Sequence, residues 1–357
     1  MEVLDGESRA VWPLVVVSTL IVSPGIFEAI YDGFQLGRAS SPHGAIPHKK
    51  SESLIKAGST VLCRPGVAMP TVALAVACMI GWCASIYFFT LQSITGWQAW
   101  LISSICAFMA FTPLHDSVHG SVAPKHRWLN DLVGNICSVP LLLPRSFFQH
   151  MHLLHHKHTN DDSAGAHGFS VDPDHWGCEG PHVLLPIRWA TVLLWYCYWG
   201  KKDYAVRKDA ALRNGDIAVL QQLHQLRDTS FTFWAAAVVS MIAMWWCRDS
   251  APVICWILPA LTASSYLNYI FGYVPHRAAD QARPVPHKEN PFLSTSVTRG
   301  LFGTIGELDL PMLSQNLHNI HHLFPQVPFY RYRAVWSENE QLLRKKGTRV
   351  LPLLIWE

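Results

Sequence analysis

Four long apolar stretches constrain this chain more than any other feature: Thr71 to Ile94, Trp97 to Leu114, Phe231 to Cys247 and Pro252 to Val274. Each approaches the roughly 20 residues that a helix needs to cross a bilayer. Lipid offers no partner for a bare backbone N–H or C=O, so such segments are expected to be helices. The first two are joined by a turn at Ser93 to Gly96 without a charged residue, and the last two by Arg248 to Ala251, with one charge of each sign. Two helical hairpins follow. Composition agrees through charge: Asp, Glu, Lys and Arg make up 15% of the residues, against about 25% in average proteins.

The connections on the opposite side are basic, with Lys201, Lys202, Arg207, Lys208, Arg213 and Arg227 between the hairpins, and Lys49, Lys50 and Lys56 within Arg38 to Arg64. The excess of positive charge orients that side towards the cytoplasm. Met1 to Arg9 carries Glu2, Asp5 and Glu7, the wrong sign for a secretory signal. Val11 to Val22 is short, with Pro13 near its start and Pro24 just past its end, and reads as an interfacial or packed segment. Leu132 to Phe148 and Val183 to Trp199 are apolar but contain prolines and arginines, and read as helices lying in or dipping into the interface. The expectation is an all-α integral membrane protein: a cytosolic or interfacial segment over 1–70, then a single four-span domain over 71–357 with a cytosolic histidine-rich cap.

The histidines give that cap its chemistry. In QHMHLLHHKHTND, read as a helix, His152, His155 and His156 stand at i, i+3 and i+4 and share a face. His318, His321 and His322 in HNIHH repeat the pattern, and His115 and His119 in HDSVHG form an i, i+4 pair. All three clusters fall on the basic side of the spans. Eight imidazoles exceed what one zinc ion uses, so the count suggests two metals. Imidazole suits iron, copper, nickel and zinc alike, which leaves the metal open. His126, His167, His182, His224 and His287 read as surface or outer-shell residues.

The order H-x3-H, H-x2-H-H, H-x2-H-H resembles the membrane fatty acid desaturase superfamily, over roughly Pro113 to Tyr332. That resemblance implies two irons held by the three boxes and dioxygen used as co-substrate on C–H bonds of lipids. It implies an additional ligand near the end of the fourth span, where His276 stands in GYVPHR. A short reach from there could bring His276 and His115 to one metal. HDSVHGSVAP and FGYVPHR are similar to carotenoid ring ketolases, QNLHNIHHLFPQVPFYRY is closer to carotenoid hydroxylases, and DPDHW at Asp172 to Trp176 is similar to an acidic motif of both carotenoid enzymes and acyl desaturases. The resemblance thus implies carotenoid ring hydroxylation or ketolation, with acyl-lipid desaturation as the alternative. Both begin with removal of hydrogen from an unactivated carbon.

Electrons must then come from a separate ferredoxin or cytochrome-type donor, since the chain has no H-P-G-G haem motif, no G-x-G-x-x-G stretch and no ferredoxin-like cysteine run. The basic segments Lys201 to Arg213 and Arg331 to Arg349 would suit an acidic donor or anionic lipid headgroups. Asp116, Asp161 and Asp162 are candidates to orient ligand rings. A net charge of +3 does not imply nucleic acid. A membrane zinc hydrolase is a remote alternative, because HDSVH has Asp116 where the H-E-x-x-H motif has its glutamate base.

Overall fold

The computed structural model describes residues 62, 64–160, 204–276 and 285–353. The expectations for 1–61, Asp161, Asp162, His167, DPDHW, His182, Val183 to Trp199, Lys201 and Lys202 lie outside the described residues.

Four helices are long and apolar enough to cross a membrane: Met69–Thr90, Gly96–Val118, Val219–Cys247 and Val253–His276. Helix α1 (Met69–Thr90) has proline in its first turn, where the missing N–H costs no bond. Helix α2 (Gly96–Val118) starts at a capping box in which Thr95 and Gln98 satisfy each other's ends. The two pack closely through small polar residues, with Ser103 Oγ donating to Ser85 Oγ at 2.9 Å and Ser85 Oγ donating to Ala99 O at 3.0 Å. Small side chains let helix backbones approach in lipid, where apolar burial provides no driving force.

The expected interfacial helix over Leu132 to Phe148 is instead two helices, α3 (Arg127–Ser138) and α4 (Arg145–His158). Pro140 and Pro144 interrupt the chain between them, and Leu142 adopts a left-handed φ of 51°. α3 buries Val133, Gly134 and Cys137 against α2. At Gly134 a side chain has no room, since a Cβ would strike Ser117 Oγ and Arg145 Cδ. The Arg145 guanidinium crosses there to reach Asp131 at 2.6 Å, both side chains being buried.

The third span begins earlier than its apolar run suggests. Helix α5 (Ile217–Cys247) is 31 residues long and is capped by the Asp216 carboxylate, which accepts from Val219 N. Its first turns, with Gln221, His224 and Arg227, extend the span beyond the apolar stretch. The fourth span is continuous but not uniform: a π-helical turn at Val253–Ile257, helix α6 (Leu258–Leu267), a second π turn at Asn268–Tyr273 and a 3-10 turn at Val274–His276. Trp82 and Trp256 lock α1 to this span, meeting edge to face at 5.4 Å; Trp82 donates to Cys255 O at 2.9 Å and Trp256 to Val139 O at 2.7 Å.

Beyond the spans the chain makes a compact cap. It contains helix α7 (His318–Leu323), helix α8 (Tyr332–Lys346) and a two-stranded parallel ladder of β1 (Ser296–Arg299) and β2 (Arg349–Pro352). Its core joins Leu317, Ile320 and Leu323 of the box-three segment to Tyr332, Val335 and Trp336 of α8. The ladder hangs on the fourth span, because Leu353 N donates to Arg299 O and Tyr269 donates its hydroxyl proton to Leu353 O at 2.9 Å.

Candidate metal centre

Four elements bring histidines to one place. α2 carries His115 near its end and His119 at its C-cap; α4 carries His152, His155 and His156; the fourth span ends on His276; and α7 carries His318, His321 and His322. Their ring nitrogens gather in two groups, each within 4.8 Å: His115, His119, His152, His156 and His321 in one, His155, His276, His318 and His322 in the other. All nine residues singled out in the sequence are therefore neighbours. The expected sharing of one position by His115 and His276 is not found, because they fall in different groups.

The division follows helix geometry. Rings at i and i+4 stay together, as in His152 with His156 and His318 with His322, while the i+3 rings His155 and His321 cross to the other group. Each H-x2-H-H box thus contributes to both positions and ties them together. The groups adjoin where His156 and His322 stack at 4.3 Å.

Short contacts between Nε2 atoms define the interior. His156 faces His321 at 2.8 Å and His152 at 3.1 Å; His318 faces His276 and His322, each at 3.0 Å; His115 faces His321 at 3.0 Å. A ring nitrogen carries either one proton or one lone pair, so a nitrogen facing two others cannot satisfy both. The lone pairs converge on positions that a cation satisfies better than further imidazoles do. Burial, and secondarily the neighbouring rings, hold His152, His156, His321 and His322 well below the ordinary histidine range and bring His318 down to about 3. The rings are thus neutral, as metal donors must be. The donor set fits divalent transition metals of the kind imidazole prefers.

Several polar groups hold these rings in place. His321 Nδ1 lies 3.1 Å from the Tyr332 hydroxyl, a partner that the sequence reading missed. With the Nε2 lone pair turned inward, Nδ1 carries the proton and Tyr332 Oη accepts it. Burial, then the nearby Asp116 carboxylate, push the Tyr332 phenol well above its usual range, so it stays protonated. Asn319 braces α7, donating to Phe292 O and Thr295 O and accepting from Thr348 Oγ1 at 2.9 Å. Asn160, just past box two, donates to Val285 O and to Ser294 O at 2.7 Å.

Asp116 takes a different part from the one expected. Its Oδ2 accepts from the Thr71 hydroxyl at 2.8 Å and from Phe329 N at 3.4 Å, tying α2 to α1 and to the chain after box three. That carboxylate oxygen is engaged in packing contacts, not presented as a general base. His287 stands beside the site, its ring 6.1 Å from His322 and its Nδ1 2.9 Å from Ser294 Oγ.

Apolar spans that end at a cluster of nine imidazoles define a membrane protein whose histidines, in two groups, could hold metal. The fatty acid desaturase family model matches residues 91–353, and the chain belongs to that family. It is 26% identical over 257 residues to the sn-1 oleoyl-lipid 12-desaturase of Anabaena variabilis, 68% of each chain. It is 44% identical over 252 residues to the beta-carotene ketolase of Haematococcus lacustris, a stretch that is 68% of this chain and 61% of that relative. With the acyl-lipid omega-3 desaturase (cytochrome b5), endoplasmic reticulum, of Arabidopsis thaliana it shares 26% identity over 249 residues, 65% of this chain and 60% of the relative. Desaturases and ketolases are oxidoreductases, and the chain is an enzyme of that class.

Proposed function

We propose that this protein is a di-iron, dioxygen-dependent oxidoreductase that attacks unactivated C–H bonds of a long apolar lipid, and that its reaction is ketolation or hydroxylation of a carotenoid ring. The observation that carries the reading is the gathering of His115, His119, His152, His156 and His321 beside His155, His276, His318 and His322 at the end of the spans. Two irons bound there would supply reductive activation of dioxygen and removal of hydrogen from the lipid. The nine imidazoles would be their ligands, and a metal-binding imidazole must offer a neutral nitrogen. Tyr332 keeps the His321 proton on Nδ1, and burial of seven of the nine rings keeps bulk water from the ligands.

The ketolase relative, with the ketolase-like segments HDSVHGSVAP and FGYVPHR, favours a carotenoid. The desaturase relatives favour an acyl chain as the second reading. Electrons come from a separate ferredoxin or cytochrome-type donor, in keeping with the cytochrome b5 named for the Arabidopsis relative. The basic segments orient the histidines and the C-terminus to the cytoplasm. A tag near Ser93 that proves cytosolic would reverse that orientation.

Product analysis in cells that make both carotenoids and common acyl chains tests the reaction. The expected result is new keto- or hydroxycarotenoids with an unchanged acyl profile. New double bonds in acyl chains with untouched carotenoids would assign the protein to acyl-lipid desaturation.

A further inference from the structure

Three phenylalanines each touch a histidine from a different box. Phe111 of α2 stacks on His115 at 5.5 Å and 22°; Phe148 of α4 stacks on His152 at 5.0 Å and 20°; Phe271 of the fourth span lies 6.2 Å from His318. They also meet one another, Phe111 lying 5.2 Å from Phe271 at 24° and 5.5 Å from Phe148 at 63°. The rings therefore form two inclined faces: Phe271, Phe111 and His115 nearly parallel in one, Phe148 and His152 in the other.

Their position along the helices sets their role. Phe111 and Phe148 each stand four residues before a histidine, on the same helical face. On α2 that is about 6 Å deeper into the bilayer than His115. Between the apolar spans and the imidazoles, the described residues place an aromatic layer. Phe271 is buried, while Phe111 and Phe148 are half-buried. His119 and His152 are the half-buried members of the nine histidines, and the other seven are buried. Half-buried His119 faces His152 Nε2 at 2.8 Å, and Phe148, also half-buried, stacks on His152.

We infer that Phe111 and Phe148 are specificity-determining residues whose rings form the wall against which the reacting end of the lipid is held, so that they decide which carbon is presented to the centre. The inference rests on the reading of the protein as a lipid C–H oxidase. Phe111 and Phe148, inclined to each other at 63°, make an apolar corner beside the imidazoles that the bulky apolar ring end of a carotenoid would fill, gaining dispersion contact with both. Removing part of such a wall loosens how the lipid end is seated, and a single methylene's worth of apolar contact changes discrimination by roughly 10- to 200-fold.

The test uses Phe111→Leu and Phe148→Leu, with Phe108→Leu as control. Phe108 packs in the same apolar cluster but makes no ring contact with a histidine among the described residues. Three quantities are read: iron per chain, the ratio of lipid products oxidised at neighbouring positions, and the affinity of zinc-substituted protein for β-carotene and for dioleoyl phosphatidylcholine in detergent. At wild-type iron content, the product ratio is expected to shift about tenfold in Phe111→Leu or Phe148→Leu. Affinity for the oxidised lipid should fall several-fold in those variants and stay unchanged in Phe108→Leu. Unchanged ratio and affinity would overturn the inference. So would loss of iron with unchanged lipid affinity, which would mean that the rings only support the histidines. A wild-type protein that oxidises neither lipid would refute the functional reading instead, and the affinity measurement would still decide for or against the wall.

Discussion

His276 and His318 meet Nε2 to Nε2 at 3.0 Å, joining the end of the fourth span to the first histidine of the third box. The π turn at Asn268–Tyr273 and the 3-10 turn at Val274–His276 alter the helical phase just before His276. Glutamine keeps a polar side chain but replaces the imidazole nitrogen with a weaker amide donor. His276→Gln is expected to lose about half of the bound metal and most turnover, as severely as His318→Gln. The exposed His126→Gln should do neither. Metal analysis of the three purified variants checks this, and near-normal iron in His276→Gln would remove it from the ligand set.

Tyr332 sits 3.1 Å from His321 Nδ1 and fixes which nitrogen of that ring faces the centre. Partners of this kind typically contribute 10- to 100-fold to metal affinity or activity, so Tyr332→Phe should lower iron retention against a chelator by roughly that factor. The loss should exceed that in Tyr330→Phe, whose ring contacts Phe329 and, among the described residues, no histidine. Equal retention in the two variants would show that the hydroxyl does not orient the ligand.

The buried Arg145–Asp131 pair, at 2.6 Å, holds the start of the box-two helix against α3. Arg145→Met removes the buried partner of Asp131 and leaves only the exposed Arg127 at 3.7 Å, a loss of about 3 kcal/mol. Gly134→Ala should also destabilise, because its Cβ meets both Ser117 and Arg145. Thermal unfolding in detergent is expected to fall clearly for both, and a wild-type midpoint for Arg145→Met would refute the brace.

Acid should weaken the iron-free protein. Burial, then neighbouring imidazoles, lower the pKa of His152, His156, His321 and His322 well below 6.5 and that of His318 to about 3. From about pH 6.5 down towards 3 the unfolded chain binds more protons than the folded one, so stability falls as pH falls. The melting temperature of iron-free protein should drop between about pH 7.5 and 5, and should drop less in a variant lacking His156 and His322. A flat profile across that window would contradict the neutral, buried state of these rings.

What the residues announce locally and what they withhold is instructive. Spacing within one helix is local, so His152 with His156, and His318 with His322, could be read as sharing a face. The crossing of His155 and His321 to opposite groups depends on how α4 approaches α7, which no local pattern encodes. Tyr332 was missed for the same reason: it lies eleven residues beyond His321 and is returned by the turn at Phe329–Arg331. The first turns of α5 carry apolar residues at helical spacing, Ile217, Leu220, Leu223 and Leu226, but Gln221, Gln222, His224, Gln225 and Arg227 between them end the continuous apolar run from which the span was read. The break at Val139 to Pro144 was foreshadowed by two prolines, but the burial of Arg145 against Asp131 was not, since arginine ordinarily marks a surface.

The two histidine groups make metal stoichiometry the most direct test. Protein purified from iron-replete cells and analysed for iron and zinc should hold about two irons per chain, with little zinc. One metal per chain, or stoichiometric zinc with only traces of iron, would contradict the di-iron account.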